Sequence, residues 1–238
     1  MLQNFEINSN QIDKIKKITS EERNFRIKNL KIFNETGFPN KKFEDWKFSD
    51  FNEIVRKNFD YLETSEIKSE INKINLIKDF KHNFIIVVNG KLNSSNFDHE
   101  VKNKIKVSRY FNNNSYEISE NPLISLNHAL ADNGYLIEVE KNYKLKKTLV
   151  IYNIFTKDIE NKILNTKNKI KVGENSEIHL LDYTINNFKF INNVYENIFL
   201  EKNSKLKNLY IQNNNSEGYF HKFLKNKIYS NSDYSSLI

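Results

Sequence analysis

The sequence contains no cysteine, and its 238 residues include only one methionine, two prolines and five glycines. Without cysteine the chain has no disulfide, no thiolate ligand for a metal and no cysteine nucleophile. Because glycine is so scarce, a glycine-rich loop of the kind that holds phosphate groups is also excluded. Any chemistry would therefore rest on side chains other than thiols and on a site other than a phosphate loop.

Long hydrophobic runs are missing as well. The longest apolar run, at residues 84–88, is far too short to span a bilayer. The first eight residues carry neither the charged nor the apolar segment of a signal peptide. We therefore expect a soluble, cytoplasmic protein with no membrane partner.

The charge balance is basic but dispersed. The chain has 37 lysine and arginine residues against 30 aspartate and glutamate residues, a formal net charge of +7. A basic excess can indicate a nucleic-acid surface. Here the positive residues are nearly all lysines, scattered among acidic and amide residues. Because no basic stripe is visible in the sequence, we predict no nucleic-acid partner.

The second half of the chain contains four copies of one short sequence motif. The motif is an apolar residue, two further residues, an asparagine, two more residues and another apolar or aromatic residue. The asparagines are Asn142, Asn175, Asn203 and Asn231, spaced 33, 28 and 28 residues apart. A fixed period in this range is typical of stacked supersecondary units. Asparagine tolerates the left-handed turn conformation, and the flanking apolar residues alternate as in a strand. Each copy of the motif therefore predicts a strand, a turn and a second strand.

Aligning the copies predicts columns of residues on successive turns of a solenoid. Three columns are apolar and are expected inside: Val139, Val172, Leu200 and Ile228; Leu145, Ile178, Leu206 and Tyr234; Leu181, Leu209 and Leu237. Two are polar and alternate in charge at nearly every step: Lys141, Glu174, Lys202 and Ser230; Lys144, Glu177, Lys205 and Asp233. Opposite charges on neighbouring rungs attract. The columns favour a parallel β-solenoid over an antiparallel sandwich, the alternative arrangement.

The first half predicts helices and a few strands. A capping box at residues 19–22 should open a helix that stops at Gly37, and isoleucines at 67, 71 and 74 predict another helix. Trp46, the only tryptophan, is interpreted as a core anchor. Strands are expected at residues 84–88 and 105–107, and a short helix from Pro122 to the Asn-Gly pair at 133–134. We expect a mainly β protein, with a helical and α/β region at 1–121 and a right-handed parallel β-helix at 122–238.

No catalytic constellation is visible in the sequence. The five histidines, His82, His99, His128, His179 and His221, lack metal-ligand spacing with one another or with a carboxylate on the same element. His179 and His221 lie on predicted solenoid strands, where packed or exposed roles are favoured over a site. Acid pairs such as those at 21–22 and 44–45 fit a solvated helix face. We predict no catalytic, cofactor-binding or metal residue, and a protein that is not an enzyme.

Three stretches resemble the SufB/SufD family of iron–sulfur cluster assembly scaffolds, and within it the SufD branch. The first is the Gly-Phe-Pro turn at 37–39 followed by Glu-Asp-Trp-Lys-Phe-Ser-Asp at 44–50. The second is the strand and Asn-Gly turn at 84–90. The third is Leu-Asn-His-Ala at 126–129 through Gly134 and Ile-Glu-Val at 137–139. The family usually has aspartate where this chain has Asn133.

The resemblance implies a non-catalytic partner of SufB, assembled with the ATPase SufC. That complex would build a cluster from delivered iron and sulfide, with the cluster, and possibly a reduced flavin, belonging to the complex rather than to this chain. The family's partner strand, cluster-associated histidine and ATPase-docking helices lie in a later region. No residue here matches them, so none is carried over. Because the chain stops inside a repeat, we expect a truncated form whose open end associates with another chain.

Two other classes fit a β-helix: a carbohydrate-acting lyase or hydrolase, and an adhesive repeat protein. Both are usually exported, and the first would need acids and bases converging on one face of the solenoid. The charged columns alternate in sign beside a turn instead of converging. Neither alternative explains the helical first half, which the family resemblance does explain.

Overall fold

A computed structural model describes residues 7–64, 74–110, 118–214 and 218–237. Its helices are α1 (Asn10–Asp13), α2 (Ser20–Thr36), α3 (Phe51–Asn58) and α4 (Pro122–Leu130), with short 3-10 turns at Glu44–Trp46 and Lys157–Ile159. Helix α2 begins and ends as predicted. The Thr19 hydroxyl accepts a hydrogen bond from the Glu22 amide at 3.1 Å, and Gly37 follows the helix with φ +71°.

Eleven strands appear in the described residues. They are β1 (Asn83–Val88), β2 (Lys91–Asn96), β3 (Ile105–Arg109), β4 (Tyr135–Val139), β5 (Leu149–Ile154), β6 (Ile163–Val172), β7 (Glu177–Asn186), β8 (Ile191–Leu200), β9 (Lys205–Asn214), β10 (Tyr219–Ile228) and β11 (Asp233–Leu237). The first sheet has the order β11-β9-β7-β5-β1-β2. The second has the order β10-β8-β6-β4-β3.

The two sheets form a β-solenoid. From β6 to β11 consecutive strands alternate between the sheets, and each pairs in parallel with the strand two positions away in sequence. This arrangement gives about three turns. It confirms the predicted parallel solenoid, preceded along the chain by a helical region. Its right-handedness stays a prediction. So does the boundary near residue 121, although β1 already pairs in parallel with β5.

The first two apolar columns are confirmed. Val139 pairs with Val172, Val172 with Leu200, and Leu200 with Ile228. Ile228 is in register but 46% exposed, because β10 is the outermost described strand of its sheet. The second column packs in the interior through Ile178 and Leu206, with Leu145 and Tyr234 against them.

The third apolar column is in register, but its side chains point outward and not into the solenoid. Leu181 pairs with Leu209, and Leu209 with Leu237. Successive strand side chains point to opposite faces. Because Ile178 and Leu180 face the interior, the next residue must face outward. Leu209 and Leu237 are accordingly 38% and 67% exposed. The prediction that this column lies inside was therefore wrong.

The four turn asparagines behave as predicted. Asn142, Asn175, Asn203 and Asn231 have φ values of 57°, 56°, 58° and 58°, the left-handed region. Their amides also form a ladder along the solenoid. The Asn175 Nδ2 donates to Asn142 Oδ1 at 2.9 Å, and Asn203 Nδ2 donates to Asn175 Oδ1 at the same distance. One residue type therefore supplies both the turn and a bond between turns.

The charged column after the turns keeps its predicted order. Lys144 Nζ lies 3.8 Å from Glu177 Oε2, and Lys205 stands in register between Glu177 and Asp233. These side chains are at the surface, where each pair contributes little stability. The column therefore favours the observed register more than it stabilises the fold.

Of the remaining predictions, the two strands are confirmed, one helix ends earlier than predicted, and one helix is mostly outside the described residues. The strands at 84–88 and 105–107 are β1 and β3, and the Asn89-Gly90 turn between β1 and β2 has positive φ at both residues. Helix α4 begins at Pro122 but ends at Leu130, before the predicted Asn-Gly stop. The helix predicted from isoleucines 67, 71 and 74 falls mostly outside the described residues. Ile74 itself is described and is not helical.

Replacing Asn203 tests the turn. Asn203→Ala forces an alanine into the left-handed region, and we expect it to lower the free energy of unfolding by about 1–2 kcal/mol. Asn203→Gly removes the same amide but tolerates the backbone, so it should cost less. Guanidinium unfolding of both variants measures the difference. Equal losses would show that the conformation at this turn contributes nothing.

Candidate functional site

Helix α4 is held on the outer face of the second sheet by side-chain amides. Asn127 Nδ2 donates to the backbone oxygens of Thr166 and Asn193, at 2.9 and 2.8 Å. In return Asn193 Nδ2 donates to the Leu123 oxygen and to Asn165 Oδ1, both at 2.8 Å. Asn127 and Asn193 are each 1% exposed. These bonds link the helix to β6 and β8 at once.

A buried arginine joins α2 to the end of α4. Arg26 is fully buried and lies 2.9 Å from Glu22 Oε1. Its Nη1 donates to the oxygens of Ala129 and Ala131, at 3.1 and 2.9 Å. Burial lowers the pKa of Arg26, and the adjacent Glu22 partly offsets that shift. The guanidinium therefore satisfies backbone acceptors at the C-terminal end of α4.

His128 and Lys167 are buried under the same helices. Lys167 is 2% exposed, and burial together with the nearby Arg26 lowers its pKa well below the usual value. The His128 ring packs between Phe25 and Tyr195, with centroid distances of 5.7 and 4.8 Å. Burial, and then Lys167 and Arg26, lower the pKa of His128 to about 3. This histidine is neutral at physiological pH.

Gly134 allows the chain to enter β4 directly against β6. A Cβ atom added there would lie 1.6 Å from the backbone oxygen of Lys167. No side chain fits that distance, so the glycine is required by close backbone approach. Three residues of one short stretch thus have a defined structural role: the Asn127 amide binds strand backbones, the Ala129 oxygen accepts from Arg26, and Gly134 allows close backbone approach.

The solenoid interior contains a charged cluster that we call the interior triad: Asp182 on β7, Glu196 on β8 and Lys222 on β10. Lys222 Nζ lies 3.2 Å from Asp182 Oδ2 and 3.3 Å from Glu196 Oε2. The Glu196 side chain is 1% exposed and that of Lys222 is 26% exposed. Burial alone would lower the pKa of Lys222, but the two carboxylates outweigh it and raise that pKa.

Neighbouring polar groups complete the interior triad. Tyr210 OH donates to Glu196 Oε1 at 3.2 Å, and Asn153 Nδ2 donates to Asp182 Oδ1 at 2.5 Å. The Lys222 ammonium also lies 4.0 Å from the centre of the Tyr210 ring. Burial, and then Glu196, raise the pKa of this tyrosine. Three of the four carboxylate oxygens of the triad therefore accept a hydrogen bond, and Glu196 Oε2 has only the ion pair with Lys222.

A cavity of about 70 Å³ lies beside the triad, inside the solenoid. Its lining includes Tyr135, Asn153, Asn168, Asp182, Tyr210 and Lys222. The volume suits a few water molecules rather than an organic substrate. The arrangement can hold solvent and bind protons, but it offers no exposed nucleophile.

The predicted strand histidines have local partners. His179 Nε2 lies 3.0 Å from Glu177 Oε1, and His221 Nδ1 lies 2.9 Å from Asn193 Oδ1. Burial lowers the pKa of His221 to about 4. The other described pair joins His82 Nε2 to the Tyr152 hydroxyl at 2.8 Å. In the described ranges, no group of three or more histidine, aspartate or glutamate side chains could hold a metal ion.

Trp46 joins the helical region to the solenoid, as interpreted. Its ring is partly buried and lies 5.4 Å from Phe51 and 5.8 Å from His221, measured between centroids. The tryptophan therefore links the start of α3 to strand β10. The next aromatic residue, Phe48, is 91% exposed.

The sequence profile of the SufBD protein N-terminal region matches residues 2–151. The chain belongs to the SufB/SufD family. This membership supports a part in an iron–sulfur cluster assembly scaffold. No curated protein matches the chain. Among the described helices, none is both long and apolar enough to cross a membrane.

The stretches that carry the SufB/SufD resemblance are used for folding in this structure. Trp46 packs two regions together, the Asn89-Gly90 turn closes the β1–β2 hairpin, and Asn127 fixes α4. Asn89 also exchanges two hydrogen bonds with Thr156, at 2.7 and 2.9 Å. These family features therefore position the first turns of the solenoid.

Sequence reasoning missed the interior triad. The signal was present, because Asp182 is four residues beyond the inward-facing Ile178, and Glu196 two residues before the inward-facing Ile198. Alternation alone places both side chains inside. Polar residues are usually expected at the surface, however. Only the fold brings Lys222 on β10 close to these two carboxylates.

Removing the ammonium tests the interior triad. Lys222→Met leaves two carboxylates facing each other inside the solenoid, and we expect a loss of about 3 kcal/mol in the free energy of unfolding near neutral pH. Lys207→Met, at an exposed position on β9, is the matched control and should be close to neutral. Urea unfolding measures both variants.

The pH dependence of that variant has a definite sign. Without Lys222, mutual repulsion and burial raise the folded-state pKa of the carboxylates. Protonation then relieves the repulsion, so the deficit should shrink as the pH falls from about 7 to 5. In the unaltered protein the raised pKa of Lys222 gives stability that is lost only as the pH rises above its ordinary value of 10.5. A deficit independent of pH would contradict the assigned charges.

His128 makes a separate prediction. Its folded-state pKa of about 3 lies below the ordinary 6.5, so the unfolded chain takes up a proton first as the pH falls. Stability should therefore decrease on acidification below about 6.5, by at most about 1.4 kcal/mol per pH unit from this group. NMR of the ring should show no titration between about pH 5 and 8. A midpoint near 6 would contradict the buried neutral state.

Proposed function

We propose that this chain is a SufD-like, non-catalytic structural subunit of an iron–sulfur cluster assembly scaffold. The observation that carries the proposal is the family match over residues 2–151, a region whose strands β1, β3 and β4 form the base of both solenoid sheets. The matched region is thus continuous with the solenoid, so the family region and the later turns share the same two sheets.

The lack of cysteine in this chain is consistent with the SufD-like role. Iron–sulfur clusters are held mainly by cysteine thiolates, and this chain has none. The cluster would then be cargo of the complex, built on a partner that supplies the ligands. Any reduced flavin would likewise belong to the complex.

We take SufB as the paired subunit and SufC as the ATPase of the same assembly, in the cytoplasm. The bonds between the helices and the solenoid strands favour this role. Asn127, Arg26 and the interior triad fix the helices and the strands in one arrangement. A support subunit needs such a body so that partners bound to it keep their relative positions.

Co-expression tests the proposal. The tagged chain is produced with SufB and SufC of the same organism and purified without oxygen. We expect SufB to co-purify through the open end of the solenoid, and SufC only together with SufB, because no residue here matches the family's ATPase-docking helices. The chain alone should acquire no visible cluster absorption when supplied with ferrous iron and sulfide. An unrelated β-solenoid of similar size with the same tag is the control.

Two outcomes would contradict the proposal in different ways. Binding to SufD but not to SufB would exclude the SufD-like role while leaving the scaffold role in place. Failure to bind any of SufB, SufC and SufD would remove the proposed assembly. A stable cluster on the chain alone would overturn the non-catalytic, ligand-free role.

A further inference from the structure

The cavity beside the interior triad lies between two apolar layers of described residues. We call this cavity, of about 70 Å³, the polar chamber. At one end, Phe155 and Phe220 line it and pack against Phe190, at centroid distances of 4.6 and 5.5 Å. At the other end, Ile198 lies two residues beyond Glu196 on β8 and belongs to the apolar core. The chamber is therefore a polar compartment inside an otherwise apolar interior.

The charge of the polar chamber is unbalanced. Among the described residues of its lining and of the interior triad, the charged groups are the carboxylates of Asp182 and Glu196 and the ammonium of Lys222. His221 also lines the chamber, but burial lowers the pKa of this histidine to about 4, so it is neutral near pH 7. Two carboxylates and one ammonium leave one negative charge uncompensated. A buried net charge is costly unless a counter-ion accompanies it.

Two buried oxygen atoms at the chamber have no hydrogen-bond partner among the described residues. Asn192 lines the chamber and is only 9% exposed, and its Oδ1 is one of them. The other is Glu196 Oε2, which has only the ion pair with Lys222. An amide oxygen and a carboxylate oxygen are both acceptors. The chamber therefore lacks positive charge and hydrogen-bond donors, and it has acceptors to spare.

Oxygen-bearing side chains extend along the chamber beyond the triad. Asn192 lies four residues before Glu196 on β8, which is roughly 13 Å along the strand. Thr166 on β6 is in register with the midpoint of that stretch, and both Thr166 and Thr184 line the chamber. Amide, hydroxyl and carboxylate oxygens are the ligands that hard cations prefer. Asn192 is thus well separated along the strand from the carboxylates that hold Lys222.

We propose that the polar chamber binds one monovalent cation of the potassium type, together with water. Such an ion supplies the missing positive charge, and protein oxygens can replace its hydration shell. A divalent ion is disfavoured, because no group of three or more histidine, aspartate or glutamate side chains in the described ranges could hold a metal. The volume accommodates an ion with one or two water molecules. The Lys222 side chain is 26% exposed, so the ion can enter past it.

Melting in two salts tests the chamber, and the test does not depend on the proposed scaffold role. The full chain is melted in potassium chloride and, separately, in tetramethylammonium chloride at equal concentration. Tetramethylammonium has the same charge, but its methyl groups keep oxygen ligands away from it. We expect potassium to raise the melting midpoint by about 3 °C or more at saturation. Glu196→Gln removes the uncompensated charge, so its midpoints in the two salts should agree within about 1 °C.

The matched control, Glu174→Gln, removes the same charge from an exposed side chain at the turn between β6 and β7, and it should keep the full difference between the salts. Asp182→Asn replaces Glu196→Gln if that variant does not fold. Crystals of the unaltered chain soaked in thallium(I) acetate give a readout without any variant, and we expect one anomalous peak in the chamber. Equal midpoints for the unaltered chain, an unchanged salt difference in Glu196→Gln, or water alone in the chamber would each overturn the proposal.

Discussion

The parallel register between successive turns is the constraint on which the rest of this structure depends. Each turn must bring the chain back in step with the one before, and the left-handed asparagines at 142, 175, 203 and 231 do this with nearly equal φ values. Once the register is set, strand alternation decides which side chains are enclosed. The core and the interior triad both follow from that single condition.

The first turn needs support that the later turns receive from their neighbours. Asn127, Arg26 and Gly134 supply it, through bonds to strand and helix backbones and through a close approach that tolerates no side chain. Asn127 and Gly134 lie in a stretch that resembles the SufB/SufD family, and Arg26 donates to the backbone of that stretch at Ala129. The family signature in this chain therefore consists of residues that fix the first turn of the solenoid. This agrees with the proposed supporting role in a cluster scaffold.

The turn positions, the strand type and two of the three apolar columns could be predicted from the repeat because each depends on local pattern. The third column was misplaced although alternation along the strand was available. Its residues at 181, 209 and 237 lie three positions beyond the inward-facing 178, 206 and 234, so they point outward. The interior triad was missed because polar residues are expected at the surface, and only the stacking of the turns brings Lys222 to Glu196.

By itself, the sequence determined the repeat, the turn chemistry, the lack of thiol ligands and the family. These are properties of residue type and spacing along the chain. Only the tertiary structure decided which charges meet. Lys222 reaches Asp182 across 40 residues, and Lys144 lies 3.8 Å from Glu177 on the next turn. Such pairings depend on how turns stack in space, because the electrostatic interaction falls off with distance between atoms and not with separation in sequence.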